Sequence, residues 1–185
     1  GTGLFNAVGN ANANSLIGST ASDAVGSTGV TALTGNGNYV VLSESWDVPE
    51  GGTQNAGAAT WGNGTTGREG TMSAANSLVG STVGDTVGSQ GVTALTNGNY
   101  VVRSPFWDNP SPARVDVGAV TWGSATTGFP GGAVVAVSAA NSLVGSSATD
   151  QVGSGGIVNL FNGKVMVFSP DWNSSSGAVT WLDQA

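Results

Sequence analysis

The chain contains no cysteine and no histidine. Without cysteine it can form neither disulfides nor thiolate metal sites, and without histidine it lacks a common metal ligand and general base. Most nucleophile–base pairs in enzymes also need one of these two residue types. We therefore expect a protein without enzymatic activity, without a cofactor and without a bound metal.

Charge is also scarce, and positive charge is the scarcer sign. Charged residues make up 8% of the 185 residues, and eleven acidic residues against four basic ones give a formal net charge of −7. Such a chain offers almost no cationic surface to a phosphate backbone. No apolar run approaches the roughly 20 residues that a membrane-spanning helix needs. We expect neither a nucleic-acid partner nor insertion into a membrane.

Glycine, asparagine, serine and threonine dominate the stretches between the apolar runs. A chain that is rich in these residues, poor in lysine and free of cysteine is typical of large secreted or cell-surface proteins of bacteria. The composition therefore predicts an extracellular location.

One pattern is present three times along the chain. The segment Asn-Ser-Leu-(Ile/Val)-Gly-Ser begins at Asn14, Asn76 and Asn141, at offsets of 62 and 65 residues. The same features follow it in each copy: an Asp, a Val-Gly-Ser, two short apolar runs, a Trp and a Gly-Ala-(Ala/Val)-Thr-Trp segment. Such a period indicates supersecondary units that share one continuous core. We divide this single repeat domain into an N-terminal strand (1–18), two repeats (19–80 and 81–145) and a partial third repeat (146–185).

The middle copy predicts four β-strands and no helix, because no segment has a 3.6-residue apolar period. Asn97-Gly98 separates the first two strands and favours a hairpin with a type I′ turn. The predicted strands cover residues 92–95, 100–103, 118–123, and 134–138 together with 141–145. The fold class is therefore all-β, with three four-stranded repeats of about 62 residues as propeller-like blades. A closed three-fold, trefoil-like body is the alternative.

Two dipeptides carry a resemblance to a known family, one present in all three repeats and one in the second and third, since the first repeat has Ser43-Glu44 in its place. Val-Gly ends at Gly26, Gly88 and Gly153, where that family has Phe-Gly, and Ser-Pro ends at Pro105 and Pro170, where it has Ala-Pro. On these motifs the chain resembles the FG-GAP repeats of integrin-alpha-type β-propellers. It is also similar to repetitive tracts of large bacterial exoproteins and filamentous-haemagglutinin-type adhesins. The resemblance implies blades and an adhesive role.

The resemblance does not extend to calcium binding. Many FG-GAP blades carry an Asp-rich calcium loop between their first two strands, whereas the corresponding residues here, 35–38, 96–99 and 161–164, include no carboxylate. Calcium sites usually include several carboxylates among six to eight oxygen ligands. We expect these hairpins to turn without metal.

Three blades are too few to close a ring, and the N-terminal strand has no obvious partner within its own repeat. Either the two ends of the chain close one compact body, or this strand completes a blade of a neighbouring copy, in a ring or in a head-to-tail fibre. For the second case we predict Leu4, Phe5, Ala7 and Val8 as the donor strand, with Ala178 and Val179 as acceptors.

The six Trp residues fall into two registers. Trp61, Trp122 and Trp181 lie inside a strand motif, which predicts core packing. The others lie in a polar loop of variable length, where aromatic rings could stack on sugars. The predicted ligand contacts are Trp46 with Asp47, Trp107 with Asp108, and Trp172 with Asn173.

The repeated acidic residues Asp23, Asp85 and Asp150 stand one residue before Val-Gly-Ser. We interpret them as acceptors that hold the following backbone amides in an Asx-turn, the commoner use of Asp at such a position. A pair of catalytic carboxylates is not favoured, because the other candidates, Glu44 and Asp47, occur together only in the first copy.

These features predict a secreted or cell-surface repeat protein that acts in adhesion or extracellular structural assembly through pairing of blade edges between copies. Its main partner would be itself, as a homo-oligomer or a head-to-tail fibre. The alternative is a lectin with one weak glycan site per repeat. A fragment of a glycoside hydrolase is a more distant alternative.

Overall fold

A computed structural model describes residues 14–49, 52–129 and 135–183. This part of the chain is nearly all β, as predicted, in several small and mainly antiparallel sheets. The strands are β1 (Leu16–Ile17), β2 (Gly29–Ala32), β3 (Tyr39–Ser43), β4 (Ala58–Gly62), β5 (Gly70–Thr71), β6 (Leu78–Val79), β7 (Val92–Ala94), β8 (Tyr100–Ser104), β9 (Asn109–Pro110), β10 (Ala113–Arg114), β11 (Ala119–Gly123), β12 (Val135–Ala136), β13 (Ser142–Val144), β14 (Gly156–Asn159), β15 (Val165–Ser169) and β16 (Ala178–Leu182).

Two single turns of helix complete the regular structure of the described residues. One is a 3-10 turn at Phe161–Gly163, and the other is α1 at Trp172–Ser175. No helix in this part of the chain is long and apolar enough to cross a bilayer.

Each repeat is built on an antiparallel meander of three strands. The meanders are β2-β3-β4, β7-β8-β11 and β14-β15-β16. Their central strands are rich in valine and in aromatic residues, which pack well on a pleated, buried surface. The first three predicted strands of the middle repeat are confirmed to within one residue at each end.

The predicted fourth strand is wrong, because that segment forms two strands with different partners. β13 pairs antiparallel with β11 of its own sheet, whereas β12 pairs parallel with β6 of the preceding copy. Asn141 makes the turn between them, since its Nδ2 donates to Ala136 O and its Oδ1 accepts from the Ser138 N–H, both at 2.9 Å.

The Asn-Ser-Leu segment links each repeat to the next. β6 lies between β4 and β12 and completes the five-stranded sheet β12-β6-β4-β3-β2. β13 completes the four-stranded sheet β13-β11-β8-β7, and the third sheet has three strands, β14-β15-β16. β1 pairs parallel with β5, and β9 pairs with β10 in the loop that follows Trp107.

Consecutive sheets share a hydrophobic core. Val40 and Leu42 of the first sheet join Tyr100 and Val102 of the second in one cluster of buried side chains. Residues on the opposite face of the second sheet, including Val101, pack against the third sheet. The middle sheet is therefore covered on both faces, as its near-continuous apolar strands predict. The described residues contain no closed barrel and no closed propeller ring, so neither the ring nor the trefoil-like body is found there.

The hairpins are where the sequence predicts them, but their turns differ. In the second repeat only Gly98 has positive φ, at 88°, because Leu95 pairs with Asn99 and leaves a three-residue connection. Such loops commonly place a single glycine in the left-handed region. In the third repeat both Asn162 and Gly163 have positive φ.

Candidate functional site

Two of the three predicted ligand-contacting Trp side chains lie in the core. Trp46 is 0% exposed and Trp107 is 1% exposed. Trp46 Nε1 donates to Ser19 Oγ at 3.2 Å, and its ring belongs to a cluster with Ala56, Met72 and Val79. Both ring faces are covered by protein, so neither ring is placed to stack on a sugar in this structure.

Trp172 is not buried in the core like Trp46 and Trp107, whereas the other register differs from the expected core packing. Trp172 is half-buried at the start of α1, and Asn173 beside it has positive φ at 52°. Trp61 and Trp122, predicted as core, are half-buried, and Trp181 is exposed with Lys164 Nζ 4.9 Å from its ring centroid. Only the loop residues Trp46 and Trp107 are fully buried, and none of the strand Trp residues is.

The polar residues next to the loop Trp residues close their loops. Asp47 Oδ1 accepts from the Asn55 N–H at 2.7 Å, and Asp108 Oδ1 accepts from the Asp116 N–H at 2.7 Å. The Asn173 N–H donates to Asp150 Oδ1 at 2.9 Å. Asp47 and Asp108 therefore close their own loops through their side chains, whereas Asn173 contributes only its backbone N–H, to a carboxylate in another loop.

The repeated buried carboxylates tie two segments of each repeat together. Asp23 Oδ2 accepts from the backbone N–H groups of Ser19 (2.6 Å) and Thr20 (2.8 Å), while its Oδ1 accepts from the Asp47 N–H at 3.1 Å. Asp85 and Asp150 make the equivalent bonds. The predicted structural role is supported, but the local amides that each carboxylate binds precede it in sequence, and the third amide lies 23 or 24 residues after it.

The three carboxylates differ in the direction of their pKa shift, because they differ in burial. Burial raises the pKa of Asp23, but hydrogen bonds from Thr20, Asp47 and Ser19 outweigh it, so this pKa lies below its ordinary value. The pKa of Asp150 is lowered in the same way. Asp85, in the middle repeat, is buried more deeply, and desolvation there raises its pKa despite the same kinds of bonds. The described residues contain no cluster of three or more acidic side chains that could hold a metal.

A cavity of about 380 Å³ lies between the second and third sheets. Most of its wall is apolar, and the polar groups of Asn141 and Ser142 in that wall are already hydrogen-bonded. Val165 lines it at the position that the bulky Tyr100 occupies between the first two sheets, where Phe129 packs edge-to-face at 5.4 Å. The cavity reflects smaller side chains at this junction. Among its lining residues, Trp122 has a buried indole N–H that lacks a hydrogen-bond partner in the described part of the chain.

The site that differs most from its counterparts is the outer edge of the third sheet. β16 pairs with β15 on one side and has no strand on its other side among the described residues. Val179 on β16 is 57% exposed, whereas the equivalent Ala59 and Val120 are 0% and 2% exposed. The next copy of Asn-Ser-Leu covers those two inner positions, through β6 and β13.

An unpaired edge is also present at the first repeat. β1 is the counterpart of β6, which lies between β4 and β12. In the described part of the chain, β1 pairs with β5 alone. Leu16 and Val25 are half-buried there, whereas their equivalents in the second repeat, Leu78 and Val87, are fully buried.

Only some of the assembly residues predicted from sequence lie at these two strand edges. Ala178 and Val179 lie on β16, and their role as acceptors stays a prediction. Leu4, Phe5, Ala7 and Val8 lie outside the described residues. The counterpart of β6 and β13 in the first repeat is β1, which lies inside the N-terminal strand predicted over residues 1–18 but outside the four residues chosen within it.

One repeat family matches the chain in four segments, at residues 1–27, 33–89, 94–154 and 159–185. The chain belongs to the DUF5650 family, described as a repeat of unknown function. No curated protein matches the sequence. The DUF5650 match does not bear on FG-GAP or adhesin identity, and that resemblance stays a prediction.

The two terminal DUF5650 matches each cover a different part of a unit. Complete units end on Val-Gly-Ser at Ser89 and Ser154, and the match over 1–27 also ends on Val-Gly-Ser, at Ser27. It therefore carries the second part of a unit, including β1. The match over 159–185 begins just before β15 and carries the first part, including β16.

Proposed function

We propose that this DUF5650 protein is a non-enzymatic structural protein that assembles from copies of itself, end to end, by pairing of sheet edges. The observation that carries the proposal is the exposure of Val179 on β16, a strand edge that is unpaired among the described residues. In both inner repeats the equivalent residue is buried, and its strand pairs on both sides. An exposed strand edge is a template for another chain. The third repeat thus offers the same kind of surface that the inner repeats use to receive their neighbour.

The geometry favours an open or ring-like series over a two-fold dimer. The acceptor edge, β16, and the donor edge, β1, belong to different repeats of one chain. A contact between two different surfaces is heterologous, so it produces a closed ring if the rotation between copies closes and a fibre if it does not. Each repeat would act as one blade-like unit in that series.

The proposed location is outside the cell, at the surface or in secreted form, on the basis of composition. The low charge and the absence of cysteine support it. The loops that follow β3, β8 and β15 recur once per repeat, so an assembled series would present them at regular intervals. An adhesive role would follow from that repetition.

Light scattering coupled to size-exclusion chromatography, with electron microscopy of the same fractions, tests the proposal. We expect the full chain to form rings with a fixed number of copies or fibres that lengthen with concentration. Val179→Lys should shift the chain to monomers, because a charge on the edge strand opposes pairing. The matched control is Val158→Lys, since Val158 is 47% exposed on β14 at the other side of the same sheet. A full chain that stays monomeric at all concentrations would refute the proposal.

A further inference from the structure

The two junctions inside the chain show how one repeat receives the next. At both of them the third strand of a meander pairs antiparallel with Ser-Leu-Val of the following copy. Ala58 lies opposite Val79 and Ala59 opposite Leu78 at the first junction. The partners at the second junction are Ala119 with Val144, Val120 with Leu143, and Thr121 with Ser142.

Side-chain and backbone contacts repeat at the two junctions as well. The hydroxyl oxygens of Thr60 and Ser77 are 2.6 Å apart, and those of Thr121 and Ser142 are 2.7 Å apart. The glycine after each Ser-Leu-Val donates its N–H to the glycine before the third strand, at 3.3 Å and 3.2 Å. The same register therefore applies at both places.

A second contact at each junction comes from the Val-Gly segment of the following repeat. The Val87 N–H donates to Ala56 O at 3.0 Å, and the Val152 N–H donates to Val117 O at 3.1 Å. A Cβ on Gly57 would overlap the backbone of residues 86 and 87, and one on Gly118 would overlap residues 151 and 152. The backbone of the following repeat thus lies directly against these two glycines.

The third repeat keeps these acceptor groups but leaves the space open. Gly177 is the counterpart of Gly57 and Gly118, and the atom nearest to a Cβ there is Pro170 O, at 3.5 Å. An apolar groove of about 540 Å³ lies at this position, between Phe168, Pro170 and Val179. In the inner repeats, the Val-Gly segment of the next copy occupies the corresponding place.

We infer that a second copy of this chain fills this groove with residues 15–26 of its first repeat. In that arrangement β1 of the second copy lies between β16 of the first copy and its own β5, as β6 lies between β4 and β12. Val25-Gly26 enters the groove beside Gly177 and Phe168. The register is that of the inner junctions: Ala178 opposite Ile17, Val179 opposite Leu16, and Thr180 opposite Ser15. The inference rests on the proposed function and specifies its interface.

A disulfide trap tests this register. The chain has no cysteine, so an introduced pair is the only one present. Directly opposed residues in antiparallel strands are close enough for a disulfide. Ser15→Cys with Thr180→Cys should therefore give a ladder of covalent oligomers on oxidation, seen on a non-reducing gel. The matched control is Ser15→Cys with Val179→Cys, which should give no ladder because adjacent strand residues point to opposite faces.

The outcomes separate the register from assembly itself. Each single Cys variant is examined by light scattering under reducing conditions, and by circular dichroism to confirm the fold. If both retain the assembly of the parent chain but the Ser15–Thr180 pair gives no ladder, the inferred interface is wrong while the proposed function stands. Equal ladders from both pairs would also overturn the register. A parent chain that is monomeric throughout would overturn the interface and the proposed function together.

Discussion

The phenol ring of Tyr100 lies over the backbone of Gly123, its partner across the strands, so closely that a Cβ on this glycine would overlap the ring. Tyr39 and Gly62 form the same pair in the first repeat. In the third repeat the two opposed residues are Val165 and Leu182. The two positions therefore change together: where the aromatic ring is lost, the glycine is replaced by a side chain that restores part of the volume.

The first prediction concerns this pair. Gly123→Ala should lower the free energy of unfolding by about 1–3 kcal/mol, the usual range for overpacking a core. Gly123 does not have positive φ, so the loss comes from the Tyr100 ring and not from backbone strain. Urea unfolding of Gly123→Ala, Tyr100→Val and the double variant measures the coupling between the two positions. We expect the double variant to be more stable than the sum of the single losses implies. Strict additivity would contradict the steric explanation.

The second prediction separates core Trp residues from ligand platforms. Trp107→Ala should cost about 3–5 kcal/mol of stability, because the side chain is fully buried. Trp181→Ala serves as the control and should cost about 1 kcal/mol or less, since this side chain is largely exposed. Thermal or urea unfolding measures both. Trp107→Ala with unchanged stability but reduced glycan binding would instead support the lectin alternative.

The third prediction is a contrast in pH dependence between two equivalent carboxylates. Ionised Asp23 stabilises the fold at neutral pH, and this contribution is lost as the pH falls from its ordinary pKa of 3.8 through the lowered folded-state pKa. The stability deficit of Asp23→Asn should therefore shrink below about pH 4. The raised folded-state pKa of Asp85 has the opposite sign, so the wild type gains stability relative to Asp85→Asn as the pH falls towards 3.8. Urea unfolding between pH 3 and 7 tests this contrast, and parallel profiles for the two variants would contradict it.

The fourth prediction compares two equivalent threonines. Thr121→Val should cost about 1–2 kcal/mol, because the buried hydroxyl of Thr121 is hydrogen-bonded to Ser142 at 2.7 Å. Thr180 has no side-chain hydrogen bond within the described residues, so Thr180→Val should leave the stability of dilute monomer within about 0.5 kcal/mol. Urea unfolding at a low protein concentration measures both. Equal losses of stability in the two variants would show that the threonine hydroxyl stabilises the strand without the hydrogen bond to Ser142, which would contradict the prediction.

Local sequence patterns were sufficient to predict the repeats, the meander strands and the positions of the hairpins. The strands of the middle repeat follow from β-branched runs such as Tyr100–Ser104 and from the glycine between them, both properties of a few neighbouring residues. The structural use of Asp85 also followed from its position beside Val-Gly-Ser. Its bonds to the preceding amides did not, because turn propensity does not specify which amides meet the carboxylate.

The candidate interface could be predicted only in part. Val179 was expected to accept a strand because the N-terminal strand has no partner within its own repeat. The donor was placed at residues 4–8, since the segment 134–138 and 141–145 reads as a single strand in sequence. The structure divides that segment into β12 and β13, and only then is β1 the counterpart of the strand that pairs with β11.

The sequence by itself determined that this is a β-repeat protein of low charge without cysteine or histidine, because periodicity and composition are properties of the chain alone. Tertiary structure alone decided which tryptophans are buried and which strand edge is open. Those outcomes depend on how far each repeat is covered by the next one. Trp107 is buried, whereas its equivalent in the third repeat, Trp172, is half-buried. Ala58, Ala119 and Ala178 share one motif, but only the first two pair with a following strand among the described residues.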